Sequence, residues 1–409
     1  MATINNDHWV VAFPGSRDSY QVPIALNESG LLQSLVTDFY APLDRPWFAL
    51  ASRFLPSDIK SKLSRRFDPE LPSGCVASYP TYAIKNWWKP ELWINRVGSL
   101  GKHAGSVATK EECSILAYAH VATSAFAAAG VRSKVLMQMQ PHPASVRAAL
   151  MADRFLPDFE DHSNNELLWA PDIFETFSRE PLLADLCIVA STYTRRTLIE
   201  NGVAQDRISV VPYGVDLDFF AAEQSRPRKL SMLFVGQASR QKGLHYLLEA
   251  WDKLRLPDAE LQIVGHLPRN KNSLTKYASL ARFLGPLDWR RLRDEYGRAD
   301  LLCLPSLGDG FGQVVLEALA CGTPVLTTSS CGASDLIRGG ENGFVIPPAN
   351  LEALIASLEW ASRNRDKLRQ MRATARSTAE KYSWTIFRRR IVAELQSLTP
   401  GAFQCAKVT

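Results

Sequence analysis

Short apolar runs alternate with longer helical patterns along most of this chain, and that alternation limits the folds it can adopt. Strands that read as continuous apolar runs, separated by helices, are typical of parallel sheets covered by helices on both faces. The sequence therefore predicts an α/β fold with doubly wound sheets. In the first half the predicted strands are WVVAF (9–13), SLVTDFY (34–40), KVLMQMQ (134–140) and LCIVAS (186–191).

A second series of strands and helices follows a change in composition at VVPYGVDLDFFAAEQSRPRKL. There a strand ends at Pro212 and Gly214 and a polar, proline-bearing stretch follows, which indicates a linker between two domains. The strands predicted beyond it are SMLFVG (231–236), ELQIVG (260–265), RFLGPL (282–287), DLLCLP (300–305), PVLTT (324–328) and GFVIPP (343–348), with helices over 243–255, 288–298 and 313–321. The predicted organisation is a first domain (1–214), a linker (215–230), a second domain (231–380) and a closing helical segment (381–409).

The chain length, composition and net charge are those of an ordinary globular protein. A chain of 409 residues with 46% hydrophobic and 22% charged residues is expected to form two or three domains, which excludes disordered and fibrous classes. The net charge of +5 is too small to choose between anionic small molecules, a membrane surface and nucleic acid. Because no nucleic-acid-binding motif is recognised, a nucleic-acid partner is not expected.

Localisation is predicted from what the sequence lacks. The seven cysteines contain no C-x-x-C pair and are interpreted as reduced thiols of a cytoplasmic protein. The start MATINNDHWVVAFPG has no basic segment of the kind that begins a signal peptide. The alanine-rich run ILAYAHVATSAFAAAGV, which begins at Ile115, is predicted to be a buried helix because it is interrupted by His120 and is too short to span a membrane.

Three glycine-bearing loops follow predicted strands. The first, FPGSRDSYQ (13–21), places Gly15 where main-chain N–H groups can approach an anion, although a lone glycine there fits a plain strand-to-helix turn equally well. The second, VGQASRQKG (235–243), carries Arg240 and Lys242 beside a helix N-terminus. Two cations in that position favour a diphosphate, and the alternative is a solvated basic loop.

The third loop, in LCLPSLGDGFGQVVLEALACGTPVL (302–326), has three glycines and leads into a helix near Gln313. The free N–H groups of that helix suit a phosphate. Glu317, one turn into the helix, is suited to accept hydrogen bonds from a ribose diol, and Asp309 at the loop tip is suited to sugar hydroxyls. The alternative is a capped helix in which Glu317 only complements the helix dipole.

These motifs, taken in order, resemble the retaining glycosyltransferases of family 4 (glycosyl transferases group 1). The resemblance covers the second domain almost throughout: VGQASRQKG, ELQIVG, FLGPLD, ADLLCLPSLGDGFGQVVLEALACGTPV, GASDLI and ENGFVIPP. Asp309 and Glu317 stand where the family has its Glu-x7-Glu motif. The first domain is similar through FPGSRD, the PHP around His142 and ADLCIVASTYT.

The resemblance implies a GT-B fold of two Rossmann-like domains facing a cleft, and a metal-independent transfer of a hexose from a nucleotide sugar with retention of configuration. It implies that Arg240 and Lys242 stabilise the leaving diphosphate and that His142 faces the donor sugar, so these three and Asp309 are the predicted catalytic residues. The residues that it implies bind the donor are Gly15, Gly236, Arg240, Lys242, Asp309, Gly310, Phe311, Gly312, Gln313, Val314 and Glu317.

Two residues depart from the family pattern. The first acid of the motif is usually glutamate, and Asp309 is one methylene shorter. The arginine usual directly after Gly236 is Gln237, which leaves Arg240 to supply that charge. For His142 the alternative is a surface-loop histidine. His120 is interpreted as a satisfied buried histidine outside the site.

The acceptor belongs to the first domain, where the segment 44–110 interleaves aromatic and basic residues. That composition fits either an anionic membrane surface that presents a lipid-linked acceptor or an ordinary helical surface with buried tryptophans. The predicted function is glycosyl transfer to a surface polysaccharide or glycolipid. The alternatives are an inactive nucleotide-sugar-binding partner of a synthase and a nucleotide-sugar epimerase. By resemblance, the helix from Lys381 is expected to cross back onto the first domain.

Overall fold

The structure is a computed structural model, in which residues 8–81, 93–153, 166–221, 229–267 and 272–398 are described. Its strands are β1 (Trp9–Ala12), β2 (Leu32–Thr37), β3 (Val76–Ser78), β4 (Ser114–Tyr118), β5 (Lys134–Gln138), β6 (Leu186–Val189), β7 (Ile208–Val210), β8 (Leu230–Val235), β9 (Ala259–Val264), β10 (Arg282–Gly285), β11 (Leu301–Leu304), β12 (Val325–Thr328) and β13 (Gly343–Ile346).

Helices connect these strands. They are α1 (Gln21–Glu28), α2 (Pro46–Ser52), α3 (Ser57–Ser64), α4 (Trp93–Lys110), α5 (Ala122–Phe126), α6 (Pro143–Ala152), α7 (Pro171–Leu183), α8 (Thr192–Glu200), α9 (Leu244–Leu254), α10 (Asn272–Thr275), α11 (Trp289–Arg298), α12 (Gln313–Ala320), α13 (Leu351–Arg363), α14 (Arg365–Ala379) and α15 (Trp384–Ser397).

The strands form two separate sheets. The first has the order β3-β2-β1-β4-β5-β6-β7 and the second the order β10-β9-β8-β11-β12-β13. All strand pairs within them are parallel. The central strands are apolar throughout because helices cover both faces, and Val10 and Leu302 are fully buried. The predicted pair of doubly wound parallel sheets is therefore confirmed.

The prediction of a buried helix in the alanine-rich run is wrong for the first part of that run. Ser114–Tyr118 forms β4, which pairs with β1 on one side and β5 on the other, and a helix begins only at Ala122. Hydrophobic pattern alone does not distinguish a short strand buried on both faces from a buried helix. His120 has a φ of 78° and lies between the strand and the helix.

The last helix lies against the first domain. Its residues Phe387, Ile391 and Leu395 are buried in the same apolar cluster as β1 and α1. Arg388 donates hydrogen bonds to Gln21 Oε1 at 2.7 Å and to Glu28 Oε1 at 2.6 Å, both on α1. The chain thus passes from the first domain to the second and returns at α15, so the two domains are tied at one end of the cleft.

Candidate functional site

A cavity of about 890 Å³ lies between the two sheets, beyond the carboxyl ends of their strands. Ligands of open parallel sheets bind at that edge, because loops and helix N-termini from several strands meet there. Residues of both domains line the cavity. On the second-domain wall the predicted residues that line it are Gly236, Lys242, Asp309, Phe311, Gly312, Gln313, Val314 and Glu317.

Helix α12 begins at this cavity. Its N-cap is Gly312 with a φ of 81°, a left-handed conformation that glycine adopts without strain. A Cβ atom there would lie 2.8 Å from Cys331 Sγ. Because Gly312 has no side chain to cap the helix, the first N–H groups stay available for an anion. Gln313 is held in place by a 2.6 Å hydrogen bond from Nε2 to the carbonyl oxygen of Gly214.

Glu317 lies one turn beyond these N–H groups on α12 and is buried. Tyr296 O–H donates a hydrogen bond to Glu317 Oε2 at 2.7 Å. Burial raises the pKa of Glu317 to about 7, and the hydrogen bond from Tyr296 lowers it in part. The carboxyl is fixed at the cavity wall, where it can accept hydrogen bonds from a ligand's hydroxyl groups.

Lys242 and Asp309 lie side by side in the same wall. Lys242 Nζ donates a hydrogen bond to Asp309 Oδ2, and the aspartate side chain is almost fully buried. The backbone of Asp309 is also fixed, since its N–H donates to the carbonyl oxygen of Ser330 at 2.9 Å. A cation is thus presented next to the N-terminus of α12, the combination that favours a diphosphate.

The glycines of the third loop allow the two domains to come into contact. A Cβ atom at Gly310 would overlap the carbonyl oxygen of Met139 from the first domain. The carbonyl oxygen of Gly310 accepts hydrogen bonds from Ser191 Oγ at 2.7 Å and Thr194 Oγ1 at 3.1 Å. Gly310 is therefore required for the close contact between the domains and does not line the cavity.

Arg240 is directed away from the cavity. Its guanidinium contacts Asp153, at the C-terminus of α6 in the first domain, with 3.2 Å between Nη2 and Oδ2. It also donates to the carbonyl oxygen of Leu150 at 3.2 Å. His245 and Tyr246 bind the same carboxylate at 3.0 and 2.9 Å. In this conformation Arg240 is part of a cross-domain network, and Lys242 is the member of the predicted pair that reaches the cavity.

His142 also lies outside the cavity, which differs from the expectation that it faces a donor sugar. The side chain is buried as the N-cap of α6, where Nδ1 accepts a hydrogen bond from the N–H of Ala144. Nε2 is 2.9 Å from the carbonyl oxygen of Ser178. The residues from this strand exit that line the cavity are Met139 and Gln140, because the chain turns into α6 after them.

The first-domain wall contains residues that the sequence did not single out. Gly15 has a φ of 88°, but its N–H donates to Asp38 Oδ1 at 2.9 Å and does not face the cavity. Its neighbours Arg17 and Asp18 do line the cavity. Tyr118 O–H donates a hydrogen bond to Asp18 Oδ2. The available signal was the charged pair Arg17 and Asp18, which follows Gly15 after one intervening residue, but the partner tyrosine is 100 residues away.

The aromatic and basic segment 44–110 is only partly described, since 82–92, with two of its tryptophans, lie outside the described residues. In α2 and the turn after it, Trp47 is 68% exposed, Leu50 57% and Phe54 84%. Trp93 lies instead against His120 and Phe177, with ring centroids 5.6 and 5.8 Å apart. The segment therefore contains both solvent-exposed aromatic side chains and aromatic side chains that pack against the rest of the first domain. None of the described helices is long and apolar enough to cross a membrane.

Residues 216–378 match the family described as glycosyl transferases group 1. Among curated relatives, the chain is 33% identical over 218 residues to a phosphatidyl-myo-inositol mannosyltransferase of Mycobacterium tuberculosis, covering 49% of this chain and 56% of that one. It is 34% identical over 228 residues to a D-inositol 3-phosphate glycosyltransferase of Corynebacterium jeikeium, covering 49% and 54%. The chain thus spans about half the length of the curated relatives it matches.

Solved structures extend the likeness to the first domain. Anabaena HepE in complex with UDP superposes with a TM-score of 0.62 at 16% identity, covering 96% of this chain and 100% of that one. A sucrose-phosphate synthase of Thermosynechococcus elongatus superposes with a TM-score of 0.66 at 16% identity, covering 95% and 98%. At such identities the likeness concerns the fold alone, and it confirms the predicted GT-B architecture.

Proposed function

We propose that the chain, whose residues 216–378 match the glycosyl transferases group 1 family, transfers a hexose from a nucleotide sugar to a glycan or lipid-linked acceptor with retention of configuration. One observation carries the proposal: Lys242, the N-terminus of α12 and Glu317 converge on one wall of the cleft cavity. Lys242 and the N-terminus of α12 are suited to bind a diphosphate, and Glu317 is suited to bind a ribose diol. UDP is the nucleotide bound by HepE, and a uridine nucleotide is the donor we would test first.

In the proposed mechanism, the bond between the anomeric carbon and the diphosphate oxygen breaks while Lys242 and the N–H groups of Gln313 and Val314 stabilise the charge that develops on the leaving phosphate. The acceptor's hydroxyl oxygen forms the new bond to the anomeric carbon on the same face of the sugar, and its proton passes to the leaving phosphate. Fixed donors at the position of developing charge are the largest single contribution in many enzymes. Asp309 and the backbone of Phe311 and Gly312 hold the donor sugar. No metal ion is required in this proposal. Arg240 would contribute only after release from Asp153.

The acceptor and its location are proposed from the first domain. The exposed apolar side chains of Trp47, Leu50 and Phe54 stand among Arg45, Arg53 and Lys60, a combination that favours an anionic bilayer surface. We therefore propose a peripheral contact on the cytoplasmic face of a membrane, in the synthesis of a surface polysaccharide or glycolipid. Flotation with phosphatidylglycerol vesicles is expected to recover the protein, and phosphatidylcholine vesicles or the Trp47→Ala/Phe54→Ala variant are expected to recover little.

The test of the proposed activity is a panel of UDP-, GDP-, ADP- and dTDP-sugars without added metal, read by thermal stabilisation and by slow hydrolysis of the donor. One stabilising nucleotide sugar is expected, and Glu317→Gln is expected to lose that stabilisation. The exposed Glu352→Ala is the matched control, which should behave as the wild type. Stabilisation without turnover, even with membrane extracts as acceptor, would favour an inactive binding partner. Release of an isomeric nucleotide sugar would favour an epimerase.

A further inference from the structure

Asp18 has an unusual environment for a carboxylate at a cavity wall. Tyr118 O–H donates to Oδ2, while Oδ1 is buried and has no hydrogen-bond partner in the part of the chain that the structure describes. Nearly all buried polar atoms in native proteins have a partner, so an orphaned carboxylate oxygen calls for one. Because Asp18 lines the cleft cavity, a hydroxyl group of a bound ligand can be that partner.

The backbone around Asp18 is strained in a way that holds it at the cavity. Asp18, Ser19 and Tyr20 have φ angles of 40°, 50° and 62°, a left-handed conformation that residues other than glycine rarely adopt. Tyr20 is buried, and its ring packs edge-on against Tyr40 with 5.2 Å between centroids. The core packing of Tyr20 therefore maintains a conformation that an isolated loop would leave. Strain of this kind is concentrated at ligand-binding sites.

Three groups face the Asp18 carboxyl: Tyr118 from β4, Tyr213 from the segment that follows β7, and Arg17 from its own loop. Burial raises the pKa of Asp18 to about 7, against the opposing effects of Tyr118 and Arg17. The carboxyl is therefore partly ionised near neutral pH. Arg17 lines the cavity, and no hydrogen bond or ion pair engages it within the described ranges.

The surroundings of Asp18 suit a neutral, hydroxyl-rich ligand. Besides Asp18, the first-domain wall of the cavity presents Gln21, Asp68 and Glu70. Arg17 and Arg388 line the same wall, and Arg388 is paired with Glu70, so acids and cations balance there and the wall does not select an anionic ligand. Amide and carboxylate oxygens accept hydrogen bonds from sugar hydroxyls. The opposite wall, with Lys242 and the N-terminus of α12, is the one suited to a diphosphate.

We propose that Asp18 binds a hydroxyl group of a sugar acceptor, accepting its hydrogen bond at Oδ1 while Tyr118 fixes Oδ2. The inference rests on the proposed glycosyl transfer and adds to it the acceptor class, a glycoside, and the residue that holds it. Asp18 acts on the acceptor and not on the donor. Its replacement therefore separates acceptor binding from donor binding.

The experiment uses the donor identified in the nucleotide-sugar panel, with octyl β-glucoside, octyl β-galactoside and octyl α-mannoside as acceptor probes. Asp18→Asn is expected to bind and hydrolyse the donor within threefold of the wild type, and to raise the KM for the accepted glycoside at least tenfold. Tyr118→Phe is expected to raise the same KM less. Asp206→Asn, exposed and outside the cavity, is the control. Circular dichroism and Tm verify that each variant folds.

An unchanged acceptor KM in Asp18→Asn, a raised donor KM, or a wild type that uses none of the three glycosides would overturn the inference while leaving donor binding intact. A wild type that binds no nucleotide sugar would instead overturn the proposed function itself. If Asp18→Asn does not fold, the pH dependence decides. The acceptor KM of the wild type should fall as the pH rises through about 7, and Arg17→Gln should move that midpoint upward. A midpoint that does not respond to Arg17→Gln would contradict the assignment.

Discussion

Lys242 and Asp309 form an ion pair within the second-domain wall of the cleft, with side chains 24% and 5% exposed. The pair joins the residue proposed to bind the diphosphate to the residue proposed to bind the donor sugar. Breaking a largely buried pair leaves one charge without compensation, and the sign of that charge determines the effect on an anionic ligand. Removing Lys242 should therefore lower the affinity for a nucleoside diphosphate, whereas removing Asp309 should not.

The first prediction compares Lys242→Met with Asp309→Asn. Lys242→Met removes the cation and leaves a carboxylate facing the diphosphate, so we expect at least a roughly 100-fold loss of affinity for the nucleoside diphosphate, about 2.7 kcal/mol. Asp309→Asn frees the cation, so the same affinity is expected to hold or rise, while the extra affinity contributed by the sugar is lost. Calorimetry with the nucleoside diphosphate and with its sugar measures both. Equal losses in the two variants would contradict these roles.

The second prediction concerns Gly310. A Cβ atom at this position would overlap the carbonyl oxygen of Met139, so Gly310→Ala must push the two domains apart. Overpacking of this kind costs about 1–3 kcal/mol, and we expect a lower Tm and at least a tenfold loss of transfer. Gly308→Ala is the matched control, because the nearest atom to its Cβ would be Tyr193 Oη at 3.5 Å, an ordinary contact. Similar behaviour of the two variants would show that the close approach has no consequence.

The third prediction separates the two cations of the second loop. Arg240 contacts Asp153 across the domains and its side chain is 12% exposed. Arg240→Met is therefore expected to lower stability, by less than the roughly 3–5 kcal/mol typical of a broken buried pair because His245 and Tyr246 still bind Asp153. Its nucleoside diphosphate affinity is expected to stay within threefold of the wild type, in contrast to Lys242→Met. A loss as large as that of Lys242→Met would mean that Arg240 leaves Asp153 to bind the donor.

The second-domain wall could be predicted from the sequence because its parts are local. Lys242 and Glu317 each follow a strand of one parallel sheet, and the carboxyl ends of such strands meet at a single edge. The predicted strands of that domain agree with the structure to within a residue or two, as the apolar runs and glycine loops mark their ends. In the second domain, the local sequence pattern and the three-dimensional arrangement therefore indicate the same site.

The first-domain wall could not be predicted in this way, because its properties depend on contacts between distant parts of the chain. The environment of Asp18 is made by Tyr118 and Tyr213, and neither is adjacent in sequence. Whether Gln140 or His142 reaches the cavity depends on where β5 ends and α6 begins, a difference of two residues that no pattern specifies. The side-chain direction of Arg240 likewise depends on Asp153, from the other domain.

The fourth prediction uses the buried carboxyl of Glu317. Burial raises its pKa from an ordinary 4.5 to about 7, so the folded protein binds this proton more tightly than the unfolded chain does. The resulting stabilisation is fully present below pH 4.5 and is lost as the pH rises through about 7. The shift corresponds to about 3 kcal/mol as an upper bound.

Glu317→Gln removes this titration and keeps an oxygen that can accept the hydrogen bond from Tyr296. The stability of the variant relative to the wild type is therefore expected to increase between about pH 4.5 and pH 8. Asp18 and Glu180, whose pKa values are also raised to about 7, titrate in both proteins and cancel in the comparison. Thermal unfolding across this pH range measures the difference. Tyr296→Phe removes the hydrogen bond that lowers the pKa of Glu317 and should extend the titration to higher pH, whereas parallel stability curves for Glu317→Gln and the wild type would show that Glu317 ionises normally in the fold.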